Sequence, residues 1–166
     1  MAGRVAFIGF GEAGQTISRG LEEEGVTAIS AYDILFESGS HAEAVRGADV
    51  VFLAVTPASS LDAAKSCLPG LAQGQLFLDI NSVSPRRKLE TAALVAPTGA
   101  RYVDVAVMGP VAPYKHKVPM LVGGPGAQAF SEWARAHGMN AQFVADEVGP
   151  ASAIKMFRSI MVKGLE

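Results

Sequence analysis

Near the N-terminus lies a turn with the spacing Gly-x-Gly-x-x-Gly, formed by Gly9, Gly11 and Gly14 directly after an apolar run. Between a strand and a helix, such a turn directs bare backbone N–H groups and the positive end of the helix dipole at one point. We interpret Gly9 as permitting the sharp turn, Gly11 as admitting a pyrophosphate to the backbone, and Gly14 as allowing close packing of helix on strand. The predicted phosphate-binding residues are Gly9, Phe10, Gly11, Glu12 and Ala13.

A carboxylate in the right place supports this interpretation. Asp33 lies 22 positions after Gly11, at the end of the second strand candidate. There it would accept hydrogen bonds from the ribose hydroxyls of a dinucleotide and repel a 2′-phosphate. No arginine follows Asp33 closely. The sequence therefore favours NAD as the cofactor, with NADP as the second possibility.

Short apolar runs alternate along the chain with helical stretches, and this alternation is what would position the glycine turn. Several runs are continuously apolar, as strands buried on both faces are. Helix ends are marked by Gly25 and Gly47, and a helix start by Ser84 and Pro85. We predict a Rossmann-type α/β fold with a doubly wound, mostly parallel sheet. The predicted strands are Val5–Ile8, Thr27–Tyr32, Val50–Val55, Leu76–Ile80, Tyr102–Val107, Met120–Val122 and Gln142–Val144.

From Gly149 onward the sequence predicts one helix that continues to the end of the chain. Ile154, Phe157, Met161 and Leu165 would form an apolar stripe along it. A stripe of this kind requires a partner, and we expect a second domain, another subunit, or both.

Composition excludes several other classes of protein. The 166 residues carry a net charge of −2, which gives no attraction to nucleic acid or to an anionic membrane. No apolar run approaches a membrane span, and no signal-peptide pattern is present. The lone Cys67 indicates a reducing compartment, so we expect a cytoplasmic protein. The three histidines are scattered without ligand spacing, and no metal site is predicted.

With these motifs in place, the chain resembles the β-hydroxyacid dehydrogenases, the group that contains 3-hydroxyisobutyrate dehydrogenase and 6-phosphogluconate dehydrogenase. The resemblance covers the whole chain but only the N-terminal half of a family member. It implies a dinucleotide-binding domain at residues 1–148 and the start of an interdomain helix at residues 149–166. An all-helical domain would follow and would form a homodimer, so this piece alone is expected to be inactive.

Two further segments resemble parts of the family's cofactor cleft. In "AVTP" the resemblance implies that Val55 and Thr56 contact the cofactor, and in "DINSVSP" it implies that Asn81 and Ser82 lie near the nicotinamide ribose. A purely structural interpretation stays open for both segments. "AVTP" would then be a strand that ends at a proline, and Asn81 and Ser82 would serve in a turn or a helix cap.

The segment "DVAVMGP" resembles the family's substrate loop, usually Asp-x-Pro-Val-Ser-Gly-Gly. Met108 stands for the serine and Pro110 for the last glycine, so donors to a substrate carboxylate are lost. The pocket should then be more apolar or use other donors, for which the run from Lys115 to Lys117 is a candidate. The substrate-binding residues implied are Met108, Gly109, Pro110 and Ser152.

The segment "VGPASAIKMFRS" resembles the family's catalytic helix, Gly-x-Gly-x-x-x-Lys-x-x-x-Asn. Lys155 falls on the catalytic lysine, and Ser159 takes the place of the asparagine. The resemblance implies NAD(P)-dependent hydride transfer to or from a small hydroxy acid or related alcohol, with Lys155 as general acid and base. Two alternatives stay open: an imine or ketone reductase of the same architecture, and a dinucleotide-binding module without catalysis.

Overall fold

The computed structural model describes residues 3–164 as one seven-stranded sheet between two layers of helices. The strand order is β2-β1-β3-β4-β5-β6-β7, and every neighbouring pair is parallel except β5 and β6. All seven predicted strands are present, with ends that differ by one or two residues. The strands are β1 Arg4–Ile8, β2 Ala28–Tyr32, β3 Val50–Leu53, β4 Leu76–Asp79, β5 Arg101–Val107, β6 Met120–Gly123 and β7 Ala141–Ala145.

The predicted helix boundaries also hold. Gly25 and Gly47 follow α1 and α2 with φ of +95° and +76°, a region that suits glycine. Ser84 caps α4 by accepting a hydrogen bond from the Arg87 N–H, and Pro85 takes the first helical position. The helices are α1 Glu12–Glu23, α2 His41–Val45, α3 Ser60–Cys67, α4 Pro85–Val95, α5 Val111–Tyr114, α6 Ala127–Ala136 and α7 Pro150–Gly164.

Alternate residues of β1, β3, β4 and β5 enter two separate cores, one on either face of the sheet. Phe7 and Phe52 stack on the face that α1 and α6 cover. Ile8 and Leu53 lie on the other face, together with buried residues of α2, α3 and α4. β3 is buried along its whole length, which explains why its sequence is continuously apolar rather than alternating.

Strand register brings the predicted site residues to one edge. Tyr32, Ile8, Leu53, Asp79 and Asp104 lie side by side in one row across five strands. The segments that follow this row all leave the sheet on the same side. Since ligands of open α/β sheets bind outside the carboxyl ends of the strands, the fold gathers the candidate segments where a cofactor would bind.

α7 leaves the body of the fold after its first turn. Ala151 and Ser152 are buried, whereas the predicted stripe residues Ile154, Phe157 and Met161 are 44%, 65% and 55% exposed. The fourth predicted member of the stripe, Leu165, lies outside the described residues. Apolar side chains surround this helix rather than forming one stripe, because Met156, Ile160 and Val162 are exposed as well.

Cys67, the single cysteine of the sequence, lies at the end of α3 in the core. Burial raises the pKa of its thiol to about 12. Among residues 3–164, no helix combines the length and the apolar content that crossing a membrane would take. Within the same part of the chain, no three His, Cys, Asp or Glu side chains converge as metal ligands would.

Candidate cofactor and substrate site

The three glycines of the N-terminal turn have different surroundings in the structure. Gly9 has a φ of +85°, and a Cβ at this position would lie 2.1 Å from the carbonyl oxygen of Ala54. A Cβ on Gly14 would lie 2.7 Å from the carbonyl oxygen of Gly9, so helix and strand are in close contact there. At Gly11 a Cβ would meet no atom within 4 Å, so this side of the turn is open.

The start of α1 faces the same opening. In the described chain no side chain caps this helix, whose N-cap residue is Gly11. Its first backbone N–H groups therefore remain available to an anion, together with the positive end of the helix dipole. The turn thus fits a pyrophosphate: two glycines shape it, and the third leaves the backbone accessible.

Asp33 is attached to the glycine turn by hydrogen bonds. Its Oδ2 accepts a hydrogen bond from the Phe10 N–H at 2.8 Å, and its Oδ1 accepts one from the Leu35 N–H at 3.0 Å. Each oxygen of an ionised carboxylate has a further lone pair, which could accept a hydrogen bond from a ribose hydroxyl. The position and orientation of this carboxylate are therefore fixed by the backbone around it.

A cleft of about 580 Å³ extends from the glycine turn to the ends of β2 and β3. Its charged side chains are the acids Glu12, Asp33 and Asp62, and no lysine or arginine is among the described residues that line it. His41 also lines the cleft, beside Tyr32. Burial lowers the pKa of His41 and so disfavours a positive charge there. The cleft offers a 2′-phosphate no cationic partner.

The loops after β3 and β4 are joined through Asn81. Its Oδ1 accepts a hydrogen bond from the Val55 N–H at 2.9 Å, and its Nδ2 donates to Oδ1 of Asp79 at 2.8 Å. Asn81 is 6% exposed, so its side chain holds two loops together. Thr56 lines the cleft that extends from the glycine turn, which we call the dinucleotide cleft. Its hydroxyl donates to the hydroxyl of Ser59 at 3.0 Å.

Lys155 lies on the second turn of α7 and reaches the loop after β4. Its Nζ donates a hydrogen bond to Oγ of Ser82 at 2.8 Å. Burial lowers the pKa of Lys155, and the positive charge of Lys88 lowers it further. Lys155 and Ser159 line two adjoining cavities of about 390 Å³ and 300 Å³, so both predicted catalytic residues border the same space.

The larger of these cavities is cationic, which the sequence analysis missed. Met108 lines it, together with Lys155, Arg158 and Lys163 from α7. The Arg158 guanidinium donates to the carbonyl oxygen of Met108 at 3.3 Å, directly at the altered substrate loop. Gly109 and Pro110 belong to the same loop, and Pro110 precedes α5. The spacing of Arg158 three residues after Lys155 was the available signal, because i and i+3 share a helix face.

Ser152, predicted to bind substrate, is 6% exposed. Its hydroxyl donates to Oδ1 of Asp104, and its N–H donates to Oδ2 of the same residue at 3.3 Å. These bonds attach the start of α7 to β5. Asp104 itself was missed as a candidate, although an aspartate within the apolar run of β5 could have drawn attention.

Two of the three groups suggested as a source of positive charge for substrate, Lys115 and His116, are paired with glutamates of α1. This segment packs against the last turns of α1. There Lys115 pairs with Glu23 at 2.6 Å, and Nε2 of the buried His116 lies 2.9 Å from Oε1 of Glu24. These two pairs hold the segment against the C-terminal end of α1.

Comparisons with known proteins match most of the chain to one family. Residues 4–136 match the family described as the NAD binding domain of 6-phosphogluconate dehydrogenase. An uncharacterized 28.5 kDa protein in the 7S RNA 5′ region of Methanothermus fervidus is 30% identical over 98% of this chain and 66% of its own length. The 2-(hydroxymethyl)glutarate dehydrogenase of Eubacterium barkeri is 28% identical over 64% of this chain and 40% of its own length.

Solved structures share the fold over nearly the whole chain. A conserved hypothetical protein from Sinorhizobium meliloti 1021 superposes with a TM-score of 0.92 at 36% identity, covering 99% of this chain and 61% of that one. An imine reductase from Myxococcus stipitatus, in complex with NADP⁺, has the same fold, with a TM-score of 0.83 at 18% identity over 98% of this chain and 62% of that one.

The chain thus spans about two thirds of the length of these full-length relatives. Within that span lie the glycine turn, the carboxylate at the end of β2 and the parallel sheet that carries them. The chain belongs to the family of the NAD binding domain of 6-phosphogluconate dehydrogenase.

Proposed function

We propose that the protein transfers a hydride between NAD and a small hydroxy acid, with Lys155 as general acid and base. The observation that carries this proposal is the position of the Lys155 amine. It is half-buried, donates to Ser82 on the loop after β4, and borders both cavities at the carboxyl edge of the sheet. When bound, a nicotinamide cofactor supplies the hydride acceptor or donor.

The first test is cofactor binding, followed by a substrate screen. Titration of the 166-residue chain with NAD and NADP by calorimetry should give saturable heats. Small hydroxy acids should then produce NADH absorbance with the full-length protein. Lack of binding of either dinucleotide to folded protein would refute the proposal at its first step.

In the oxidation direction, the neutral amine of Lys155 takes the proton of the substrate hydroxyl while the carbon loses a hydride. In the reverse direction, the ammonium form returns the proton to the developing alkoxide. Ser82 orients the amine through its hydrogen bond, and Ser159 lies one helical turn further on. An ordinary lysine is a weak base at neutral pH because almost all of it is protonated.

The pH dependence follows from the lowered pKa of Lys155. The kcat/KM for oxidation is expected to rise with pH and to level off above that pKa, at a midpoint below the ordinary lysine value of 10.5. The kcat/KM for reduction should fall over the same interval, because it needs the protonated amine. Initial rates in both directions across a pH series measure the two limbs. Limbs of the same sign in both directions would contradict the assignment.

We infer that the substrate carries an anionic group, and that Arg158 binds it. In the loop that resembles the substrate loop of the β-hydroxyacid dehydrogenases, Met108 stands where that family has serine. The guanidinium of Arg158 donates to the carbonyl oxygen of Met108 in this loop. Guanidinium groups bind carboxylates through two parallel hydrogen bonds. The apolar part of the cavity wall, at Val107 and Val162, suits the carbon skeleton of a small acid.

Replacing Arg158 by alanine is expected to raise KM for the acid by roughly tenfold to a hundredfold, the equivalent of one charge-assisted hydrogen bond. Steady-state kinetics with the acid and with its neutral methyl ester separate charge recognition from packing. Only the acid should lose affinity. Arg135→Ala on α6 is the matched control, and an equal loss in that variant or with the ester would exclude the role of Arg158.

The cofactor preference is tested at Asp33. Asp33→Asn keeps an acceptor for the Phe10 N–H but removes the charge that faces the ribose. We expect the ratio of NAD to NADP affinity to fall roughly tenfold, about 1.4 kcal/mol. Asp62→Asn, a carboxylate that lines the same cleft, is the control and should change the ratio less. Equal effects of the two substitutions would assign the preference to the overall charge of the cleft instead.

We also propose that α7, which begins at Pro150, is the start of an interdomain helix that leads into a helical domain and a homodimer. Exposed apolar side chains along α7 support this, since Phe157 and Ile160 are 65% and 62% exposed. The greater length of the relatives supports it as well.

A further inference from the structure

A fully buried lysine takes no direct part in the site described above. The Nζ of Lys88, on α4, donates to the backbone oxygens of Asp79 and Val105. It lies 3.5 Å from Oδ1 of Asp79 and 3.3 Å from Oδ1 of Asp104, and none of the three side chains is exposed. A buried ion pair adds little to the free energy of unfolding, because the cost of desolvating the two charges offsets their attraction. The position of this cluster beside Lys155 suggests a different role.

We propose that Lys88, Asp79 and Asp104 form a positioning cluster, which fixes the amine of Lys155 against Ser82 and sets the charge that surrounds it. This inference rests on the proposed function, because it concerns the residue proposed as acid and base. It assigns the three buried groups no contact with substrate or cofactor.

Asp104 fixes the helix that carries Lys155. Its Oδ2 accepts hydrogen bonds from the N–H groups of Gly149 at 3.1 Å and Ser152 at 3.3 Å, and its Oδ1 accepts one from the Ser152 hydroxyl. A carboxylate on β5 therefore caps the start of α7. Lys155 follows Ser152 by about one helical turn, so its backbone position depends on this cap.

Asp79 fixes the partner of Lys155. Its Oδ1 accepts hydrogen bonds from the backbone N–H and the Nδ2 of Asn81, and its Oδ2 accepts one from the Tyr102 hydroxyl at 2.7 Å. Burial and the neighbouring Asp79 raise the pKa of Tyr102, which keeps this hydroxyl protonated as a donor. Asn81 immediately precedes Ser82, so the acceptor of the Lys155 hydrogen bond is held by Asp79.

Lys88 lies between the two carboxylates. It therefore links the hydrogen bonds that hold the start of α7 to those that hold the loop of Ser82. Without its charge, two buried carboxylates would face each other across neighbouring strands, since Asp79 and Asp104 are in register. Two like charges on adjacent strands repel strongly in the protein interior. Lys88, within 3.5 Å of Oδ1 of Asp79 and 3.3 Å of Oδ1 of Asp104, therefore offsets this repulsion and lets both carboxylates stay close together.

Charge near Lys155 comes from Lys88 of this cluster and from α7 itself, where Arg158 and Lys163 line the same cavity. Of the elements packed against α7, β6 and β7 carry no charged residue. On α4, Arg86 is exposed and Arg87 pairs with Glu90, and on β5 Arg101 lies at the far end. Arg158 is one turn along α7 itself. Removing Lys88 should therefore favour the protonated form of Lys155, and removing a carboxylate should favour the neutral form.

The test measures the reactivity of Lys155 without substrate or cofactor. Trace labelling with acetic anhydride across an alkaline pH series, with peptide mass spectrometry, gives the pH at which each lysine becomes half-reactive. The exposed Lys65 is the internal reference. Lys88→Met should raise the midpoint of Lys155 and lower its labelling at a fixed pH below that midpoint by roughly three- to tenfold. Asp104→Asn keeps the shape and should lower the midpoint.

Opposite shifts in the two variants are the expected result, and general loosening of the fold would not produce them. Thermal melting by circular dichroism establishes that each variant is folded. If Lys88→Met does not fold, Asp79→Asn takes its place beside Asp104→Asn, and both should lower the midpoint. Unchanged midpoints in folded variants, or a raised midpoint in Asp104→Asn, would overturn the proposal. Because no turnover is involved, a failed substrate screen would leave this result unaffected.

Discussion

Lys155→Met is expected to reduce kcat by about 10² to 10⁴, the usual contribution of a general acid and base. Methionine fills a similar volume but can neither accept nor return a proton. NAD affinity should stay nearly unchanged, because the dinucleotide cleft is lined by other residues, from the glycine turn to α3. Turnover of the hydroxy acid and calorimetric binding of NAD, measured on the same preparation, separate the two effects.

The matched control for this variant is Lys65→Met, an equally long lysine that is exposed on α3. It should leave kcat and NAD affinity as they are. Full turnover in the Lys155 variant would remove this residue from the reaction. A parallel loss of NAD affinity would instead indicate that the cofactor cleft itself had changed.

Two of the three glycines of the N-terminal turn, Gly9 and Gly11, should lose different properties when a methyl group is added. Gly9→Ala should lose stability, and Gly11→Ala should lose NAD affinity. At Gly9 a Cβ would lie 2.1 Å from the Ala54 oxygen, in a backbone conformation with φ of +85°. Gly9→Ala is therefore expected to lower the free energy of unfolding by about 3 kcal/mol. Gly11 has a φ of −78° and open space at the Cβ position, so Gly11→Ala should cost less than about 1 kcal/mol.

For NAD affinity we expect the larger loss in Gly11→Ala, the variant that keeps its stability. The Cβ of Gly11→Ala would occupy the space proposed for the pyrophosphate, and NAD affinity should fall tenfold or more, at least about 1.4 kcal/mol. Urea unfolding and NAD calorimetry on both variants provide the measurements. Unimpaired NAD binding by a stable Gly11→Ala protein would show that no phosphate approaches this backbone.

Much of the fold was predictable because its signals are local. Continuously apolar strands, glycines after helices and the Ser84–Pro85 start each depend on a few neighbouring residues, and all of them hold in the structure. The antiparallel pairing of β6 with β5 carries no such signal. Its direction is set by how the long connection after Val107 folds back over α1, which is a matter of tertiary packing.

The candidate site was predictable where a motif fixes the backbone and less so where side chains meet from distant segments. Asp33 and Lys155 were identified from spacing and resemblance. Lys88 resembles any surface charge on a helix, and its burial arises only when α4 packs over β4 and β5. His116 was predicted only as a source of positive charge for substrate, yet it is buried beside Gly20, where a Cβ would not fit.

The buried thiol of Cys67 has a practical consequence. Because it is the single cysteine of the 166 residues and its pKa is raised to about 12, maleimide reagents should leave the 166-residue chain unmodified. A cysteine introduced at Ile34, 76% exposed at the rim of the dinucleotide cleft, would then be the sole point of attachment for a fluorophore. Such a conjugate would convert occupancy of the cleft into an optical signal suited to ligand screening.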